Sequence, residues 1–268
     1  MKKQRSNLLK KVTAVLAAAL MMVTGCVTAL AAESTEVTVT IVGENGEIVM
    51  AAETISVTDA DEDGALTIND ALYLAHEAAY PGGAAAGFSS AMTEYGISLN
   101  LLWGIDNGGS YGYILNDAGA LSLSDPIADG DYICAYAYTD LTTWSDVYSY
   151  FDVKNVTAKA GDELTLTLRY AGYDENWNPI VVDVAGAVIT VDGEETDVVT
   201  DENGVAVIKV EKGEHVISAK SDSLTLVSPV CVATAEASGL SAVWYVVIAA
   251  AVVIIAAAAV VLGKKRKK

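Results

Sequence analysis

Twelve consecutive residues hold the densest chemistry in this chain: Asp59-Ala60-Asp61-Glu62-Asp63-Gly64-Ala65-Leu66-Thr67-Ile68-Asn69-Asp70. Counted from Asp59, carboxylates fall at positions 1, 3, 5 and 12, glycine at 6 and an apolar residue at 8. With this spacing a short loop wraps a hard divalent cation such as calcium. Short acidic side chains at alternate positions converge on one ion while Gly64 takes the sharp turn between them. The carbonyl of Ala65 is then expected to supply the ligand at position 7. Thr67 at position 9 would bind directly or through water, and Asp70 closes the shell from the start of a helix. Leu66 should point inward and pin the loop. The competing reading is a solvated acidic turn in which Asp70 serves only the helix dipole. Five acids among twelve residues repel one another unless a cation neutralises them, which favours calcium. Its role would be structural, because the ligand set is complete without a substrate.

The elements around the loop follow from periodicity. Before it, Glu53-Thr54-Ile55-Ser56-Val57 alternates as a strand does. After it, Ile68, Leu72, Ala75 and Ala79 stand at helical spacing and predict a helix from about Ile68 to Tyr80, ended by Pro81-Gly82-Gly83. Further on, Asn107-Gly108-Gly109 is expected to turn between two strands. Asp129-Gly130 opens a strand, Tyr132-Ile133-Cys134-Ala135-Tyr136-Ala137-Tyr138, whose tyrosines share one face. Such a stripe could stack on a sugar, a corrinoid or a peptide, although half-buried packing is commoner for tyrosine in strands. Trp144 and Tyr148, beside Asp140 and Asp146 in an expected loop, are the best candidates for ligand contact.

Charge is distributed in blocks. All 35 acids lie between Glu33 and Glu236, while five bases fall in the first eleven residues and five are the last five. The stretch between holds Lys154, Lys159, Arg169, Lys209, Lys212 and Lys220, so six bases against 35 acids leave −29. Nucleic acid is thereby an improbable partner, since phosphate backbones need bases. Cations, or basic partners met by electrostatic steering, fit better.

The two ends read as export and anchoring signals. A basic start, an apolar run from Val12 to Val23 and Ala29-Leu30-Ala31 form a cleavable signal peptide over residues 1–31, with the cut after Ala31 or Ala32. Val23-Thr24-Gly25-Cys26 also fits lipidation at Cys26, but the sequence after it stays apolar where a polar tether is expected. Residues 242–262 contain no charge and suffice for a bilayer-spanning helix. Trp244 and Tyr245 stand at its outer edge, and the basic tail of 263–268 should stay cytoplasmic. The expectation is a single-pass cell-membrane protein with its N-terminal part outside. A spacer of residues 233–241 reaches roughly 30 Å when extended, so the ectodomain works close to the membrane.

Two ordinary domains fit into the exported part. The first is expected over 33–153. From about Asn155 to Val232, strands Leu164–Tyr170, Ala187–Val191, Val205–Val210 and His215–Ala219 are separated by Asp192-Gly193, Asp201-Glu202-Asn203-Gly204 and Lys212-Gly213. That spacing of short strands and turns predicts a β-sandwich. The fold class is mostly β: a small α/β (α+β) first domain, a β-sandwich and a C-terminal transmembrane helix. Cys134 and Cys231 are expected as buried thiols, with a disulfide as the alternative. His76 and His215 stand in no nucleophile motif and there is no phosphate-binding Gly-rich loop, so no enzyme activity is expected.

Three resemblances accompany these readings. The acid loop between a strand and a helix resembles one half of a dockerin; with a single such segment, cohesin docking is not implied. From Val37 to about Asp152 the chain resembles bacterial surface domains related to the transcobalamin C-terminal domain. The carrying residues are Thr67-Ile68-Asn69-Asp70-Ala71-Leu72, Leu102-Trp103-Gly104-Ile105, Tyr113-Ile114-Leu115-Asn116-Asp117 and Ile127-Ala128-Asp129-Gly130-Asp131-Tyr132-Ile133. That resemblance implies a small α/β fold, which in transcobalamin-like proteins helps to cover a corrinoid. Val198-Val199-Thr200-Asp201-Glu202-Asn203-Gly204-Val205-Ala206 resembles a hairpin of bacterial immunoglobulin-like and carboxypeptidase-regulatory-like modules, which usually space or present another domain. Taken together, these features imply a membrane-anchored bacterial surface module for binding or adhesion, its ligand a polymer, a protein or a small molecule. The alternatives are capture of a corrinoid-like molecule for a membrane transporter, and a structural envelope protein.

Overall fold

The computed structural model describes residues 34–176 and 178–237. The signal peptide assigned to 1–31, the membrane helix assigned to 242–262 and the tail at 263–268 lie outside the described residues. Among the described residues no helix is long and apolar enough to cross a membrane. Strands predominate, and the chain divides into two compact units. One holds residues 53–135 with the chain up to Val39; the other holds 40–52 and the chain from Tyr136 onward.

The first unit contains most of strands β1 (Thr35–Val42) and β7 (Tyr132–Ala137), the second half of β2 (Ile48–Val57), and all of β5 (Tyr111–Leu115) and β6 (Ala118–Gly119). Their sheet runs β2-β1-β7-β5-β6. In β2 the buried positions switch from Met50 and Ala52 to Ile55 and Val57, from even to odd numbers. Ala52, at φ 49, breaks the extended backbone where the face switches, and its N–H donates to the Thr40 hydroxyl at 3.1 Å. Every residue of β7 is buried, so the tyrosine stripe is packing; only Tyr138, just beyond the strand, is half-exposed.

Helix α1 (Ile68–Ala79) packs against α2 (Ala84–Gly87) and against a separate hairpin, β3 (Phe88–Thr93) with β4 (Gly96–Leu102). Its buried face is Ile68, Ala71, Leu72, Ala75 and His76. Ala79, expected on that stripe, is exposed, and the imidazole of His76 takes the inward position one turn after Leu72. Each fully buried Ile or Leu here contributes about 1.5–3 kcal/mol by leaving water. The first-turn N–H groups of Ile68 and Asn69 donate to the carbonyls of Asp125 and Leu123 at 3.2 and 2.9 Å, which fixes the helix start on the 121–127 segment. Asn107-Gly108-Gly109 does not close a hairpin. The strands on either side of it, β4 and β5, belong to different sheets, because Trp103 and Gly104 at φ 51 and 74 turn the chain away after Leu102.

The second unit is a β-sandwich. One sheet has the order β11 (Pro179–Asp183), β10 (Glu163–Tyr173), β8 (Val147–Phe151) and β16 (Leu226–Val227), with β14 (Val205–Lys209) also paired to β10. The other runs β13 (Glu194–Val199), β12 (Val188–Val191), β15 (Gly213–Lys220), β17 (Cys231–Glu236) and β9 (Asn155–Lys159), so residues 233–236, expected in the spacer, are instead paired strand with Ala233 and Ala235 buried. Period-2 alternation sends Leu164, Leu166 and Leu168 inward from β10. There they meet Ile208, Ile189, Ile217, Ala219, Cys231 and Ala233 in one core with Phe151. Asp192 and Gly193, at φ 52 and 85, are both left-handed, as a two-residue hairpin turn between β12 and β13 needs. In the Thr200–Gly204 segment the Thr200 hydroxyl donates to Val184 O at 2.7 Å, and Asp201 accepts from the N–H groups of Asn203 and Val205. That motif therefore has a structural task in this chain.

Candidate functional site

The acid loop lies wholly within the first unit, between β2 and α1. Carboxylate oxygens of Asp59, Asp61 and Asp63 lie within 4.8 Å of one another. Backbone turns hold them there. Asp59 Oδ1 accepts from Asp63 N–H at 3.1 Å and Oδ2 from Gly64 N–H at 2.9 Å, while Asp63 Oδ1 accepts from Ala65 N–H at 2.9 Å. Gly64 sits at φ 91, a conformation that side chains avoid. Leu66, expected to point inward, is half-buried.

Two of the remaining expected ligands, Thr67 and Asp70, are engaged at the start of the helix. Thr67 is the N-cap of α1 and Asp70 its third residue, and they form a reciprocal capping box. Asp70 Oδ2 accepts from Thr67 N–H at 2.9 Å and from its hydroxyl at 2.7 Å, and Oδ1 accepts from Ala60 N–H at 2.8 Å. Both carboxylate oxygens of Asp70 are thus tied to the loop backbone and the helix cap. Its charge still reaches the trio. The Asp61 carboxyl is pushed above the ordinary carboxylate range, first by burial and then by the negative charges of Asp70 and Asp63. Hard carboxylate oxygens gathered in one short loop are the donor set whose mutual repulsion a calcium-sized cation would relieve.

One participant was not legible in the loop spacing. Asn69 donates through Nδ2 to Asp61 Oδ2 at 3.2 Å and accepts through Oδ1 from the Ser90 hydroxyl at 2.7 Å. It joins the acid loop to β3. Position 11 of the loop motif carries no ligand requirement, so only the folded chain shows this link.

The expected contact pair is split. Trp144 is 62% exposed, at φ 50, on a loop braced by Asp140. The Asp140 carboxylate accepts from the N–H groups of Thr142 and Thr143 at 2.9 and 3.1 Å, from the Thr143 hydroxyl, and from Ser145 Oγ at 2.8 Å. These donors, led by the Thr143 hydroxyl, hold Asp140 far below the usual carboxylate range. Asp146 closes the loop by accepting from Thr139 and Asp140 N–H at 2.8 Å each. Tyr148, in contrast, is 5% exposed and stacks on Tyr150 at 5.7 Å between ring centroids, so it cannot share a ligand at the surface with Trp144.

Both histidines are hydrogen-bonded within the fold. His76 is fully buried, with Nδ1 2.6 Å from Leu72 O and Nε2 accepting from Trp103 N–H at 2.9 Å. His215 pairs with Asp192 at 2.7 Å, and that hydrogen bond raises its pKa. The Cys231 thiol is buried in the sandwich core, where burial pushes its pKa up to about 11.

The fold and the site thus define a β-rich protein with an acid loop of cation-binding composition. No protein-family model matches the chain, and a search of curated proteins finds no match. Among solved structures, the N-terminal four Ig domains of Dscam1 isoform 4.44 align with it at 9% identity and a TM-score of 0.19. The alignment covers 76% of this chain and 46% of that one, so the chain spans about half the length of that structure. A likeness of that size carries no argument about fold or function.

Proposed function

We propose that this chain is a membrane-anchored, cell-surface binding or adhesion module of a bacterium, with calcium stiffening the loop at 59–70. Asp59, Asp61 and Asp63 would be the inner ligands, joined by the Ala65 carbonyl. Thr67 and Asp70 would either turn toward the ion or brace it from the helix cap. The observation that carries this reading is the convergence of three aspartates within 4.8 Å in a sequence with no Lys or Arg between Lys11 and Lys154. Without a cation such a loop is held together against its own charge. Trp144, exposed on a braced loop, supplies a contact residue suited to polymer or protein ligands. The apolar stretch 242–262 and the bases after it would hold this body outside the cell, tail inside. Binding is favoured over catalysis because both histidines are committed to the fold.

Differential scanning fluorimetry of the purified chain tests the calcium reading. Millimolar calcium should raise the melting temperature after chelator treatment, and Asp59→Ala with Asp63→Ala should abolish that rise. If the wild-type chain melts at the same temperature with and without calcium, the loop is an acidic turn and nothing more.

A further inference from the structure

The turn end of the β3–β4 hairpin carries large apolar side chains in full view of solvent. Met92 is 73% exposed, Tyr95 79% and, on the segment that runs against the hairpin, Leu121 86%. Strand register sets Met92 opposite Ile97 and Thr93 opposite Gly96, so Tyr95 occupies the turn itself. Leu121 is brought there by its neighbours. The Ser122 hydroxyl accepts from Ile97 N–H at 2.9 Å, and Leu123 N–H donates to Ile97 O at 2.9 Å. Gly96, at φ 107, leaves room only for hydrogen, because a Cβ there would lie 2.4 Å from Ser122 Oγ. The approach is close and fixed.

Single exposed apolar residues are ordinary on protein surfaces. Three at one end of a hairpin, each on ordered backbone, are a different matter. The Thr93 hydroxyl donates to Gly96 O at 2.8 Å and accepts from Tyr95 N–H at 3.1 Å, and Asp125 Oδ2 accepts from Leu121 N–H at 3.0 Å. Backbone held in this way loses little further freedom on docking, so the ordering cost is confined to the side chains. The charge around them has one sign. Glu94 lies between Thr93 and Tyr95, Asp125 sits beside Leu121, and no Lys or Arg occurs anywhere in the described part of this unit. Anionic lipid and nucleic acid would be repelled from it.

We infer that this hairpin end is a docking surface for a partner-protein segment with an apolar centre flanked by lysine or arginine. The inference rests on the reading of the chain as a binding module and gives that module a partner class and an address. Tyr95, Met92 and Leu121 would cover the apolar centre, while Glu94 and its acidic surroundings steer and orient the flanking bases.

The test uses the full chain and three probes: an amphipathic Lys–Leu peptide, its Glu–Leu counterpart and phosphatidylserine vesicles. Tyr95→Ser with Leu121→Ser removes apolar surface without changing charge, and Met92→Ser is a second variant should the first fold poorly. The Lys–Leu peptide should bind the wild-type chain, weaken at least about tenfold in the serine variants, equivalent to roughly 1.4 kcal/mol, and weaken further with salt. Glu94→Gln should weaken it several-fold. The proposal is overturned if the Lys–Leu peptide does not bind, if the serine variants bind it as tightly as wild type, if the Glu–Leu peptide binds equally well, or if vesicle binding, to which the basic tail also contributes, falls in the serine variants as far as peptide binding does. The calcium-induced shift in melting temperature is read on the same samples. Its absence would count against the acid loop alone, because the serine variants remove no carboxylate.

Discussion

His76 works in this fold as a neutral ring. Burial lowers its pKa below the ordinary histidine value, and its Nε2 must stay unprotonated to accept from Trp103 N–H. The unfolded chain takes up a proton at this residue below about pH 6.5, whereas the folded chain resists it. The stability that the neutral ring supplies is therefore complete above that pH and is lost as the pH falls toward the lower folded value. His215 runs the other way. Its hydrogen bond to Asp192 raises the folded pKa, so that contribution is present below about pH 6.5 and fades as the pH rises through the folded value. His76→Phe should remove the acid-sensitive part of the stability while costing about 1–3 kcal/mol at neutral pH, because Trp103 N–H loses its acceptor in a buried site. Urea melts at acid and neutral pH report both effects. An unchanged loss of stability on acidification in the variant would show that another group sets it.

At the scale of elements, the acid loop, helix α1 and the β3–β4 hairpin form one hydrogen-bonded assembly. Asn69 sits between them, joined to Asp61 on one side and to Ser90 on the other, and is 9% exposed. Asn69→Ala should cost about 1–2 kcal/mol, since it leaves the Ser90 hydroxyl without this acceptor and Asp61 without this donor. Amide hydrogen exchange should then quicken in β3, while the calcium-induced rise in melting temperature persists through Asp59, Asp61 and Asp63. If β3 exchanges at its wild-type rate in the variant, the two elements are not coupled through Asn69.

Over the whole molecule, charge is the dominant feature. Six bases stand against 35 acids between Glu33 and Glu236. Among the described residues, ion pairs such as Arg169–Asp183 and Lys220–Glu195 are exposed and weak. Like-charge repulsion therefore works against the compact state. Raising sodium chloride from about 0.01 M to 1 M shortens the screening length from roughly 30 Å to 3 Å. The melting temperature of the calcium-free chain should then rise by roughly 2–4 °C for each kcal/mol of repulsion removed. A melting temperature that falls with salt would mean that attractive pairs outweigh the repulsion.

Much of this was readable along the chain, because the determining interactions are local. The period from Ile68 to Ala75 specifies α1, the alternation of Leu164, Leu166 and Leu168 specifies β10, and Asp192-Gly193 specifies a turn that only left-handed residues can make. The acid spacing at 59–63 places three carboxylates together for the same reason: residues two apart in a tight loop have nowhere else to go. What the sequence could not decide was neighbourhood. Alternation shows that a strand has an inner and an outer face but not which strand lies beside it, so β4 and β5 came to different sheets and Tyr148 came to be buried while Trp144 is exposed. It was likewise the folded chain that turned Asp70 into a helix cap, replaced Ala79 by His76 on the buried face of α1, and set Ser122 and Leu123 against Ile97 of the hairpin. Those outcomes depend on contacts between residues far apart in sequence, whose energies no local pattern records.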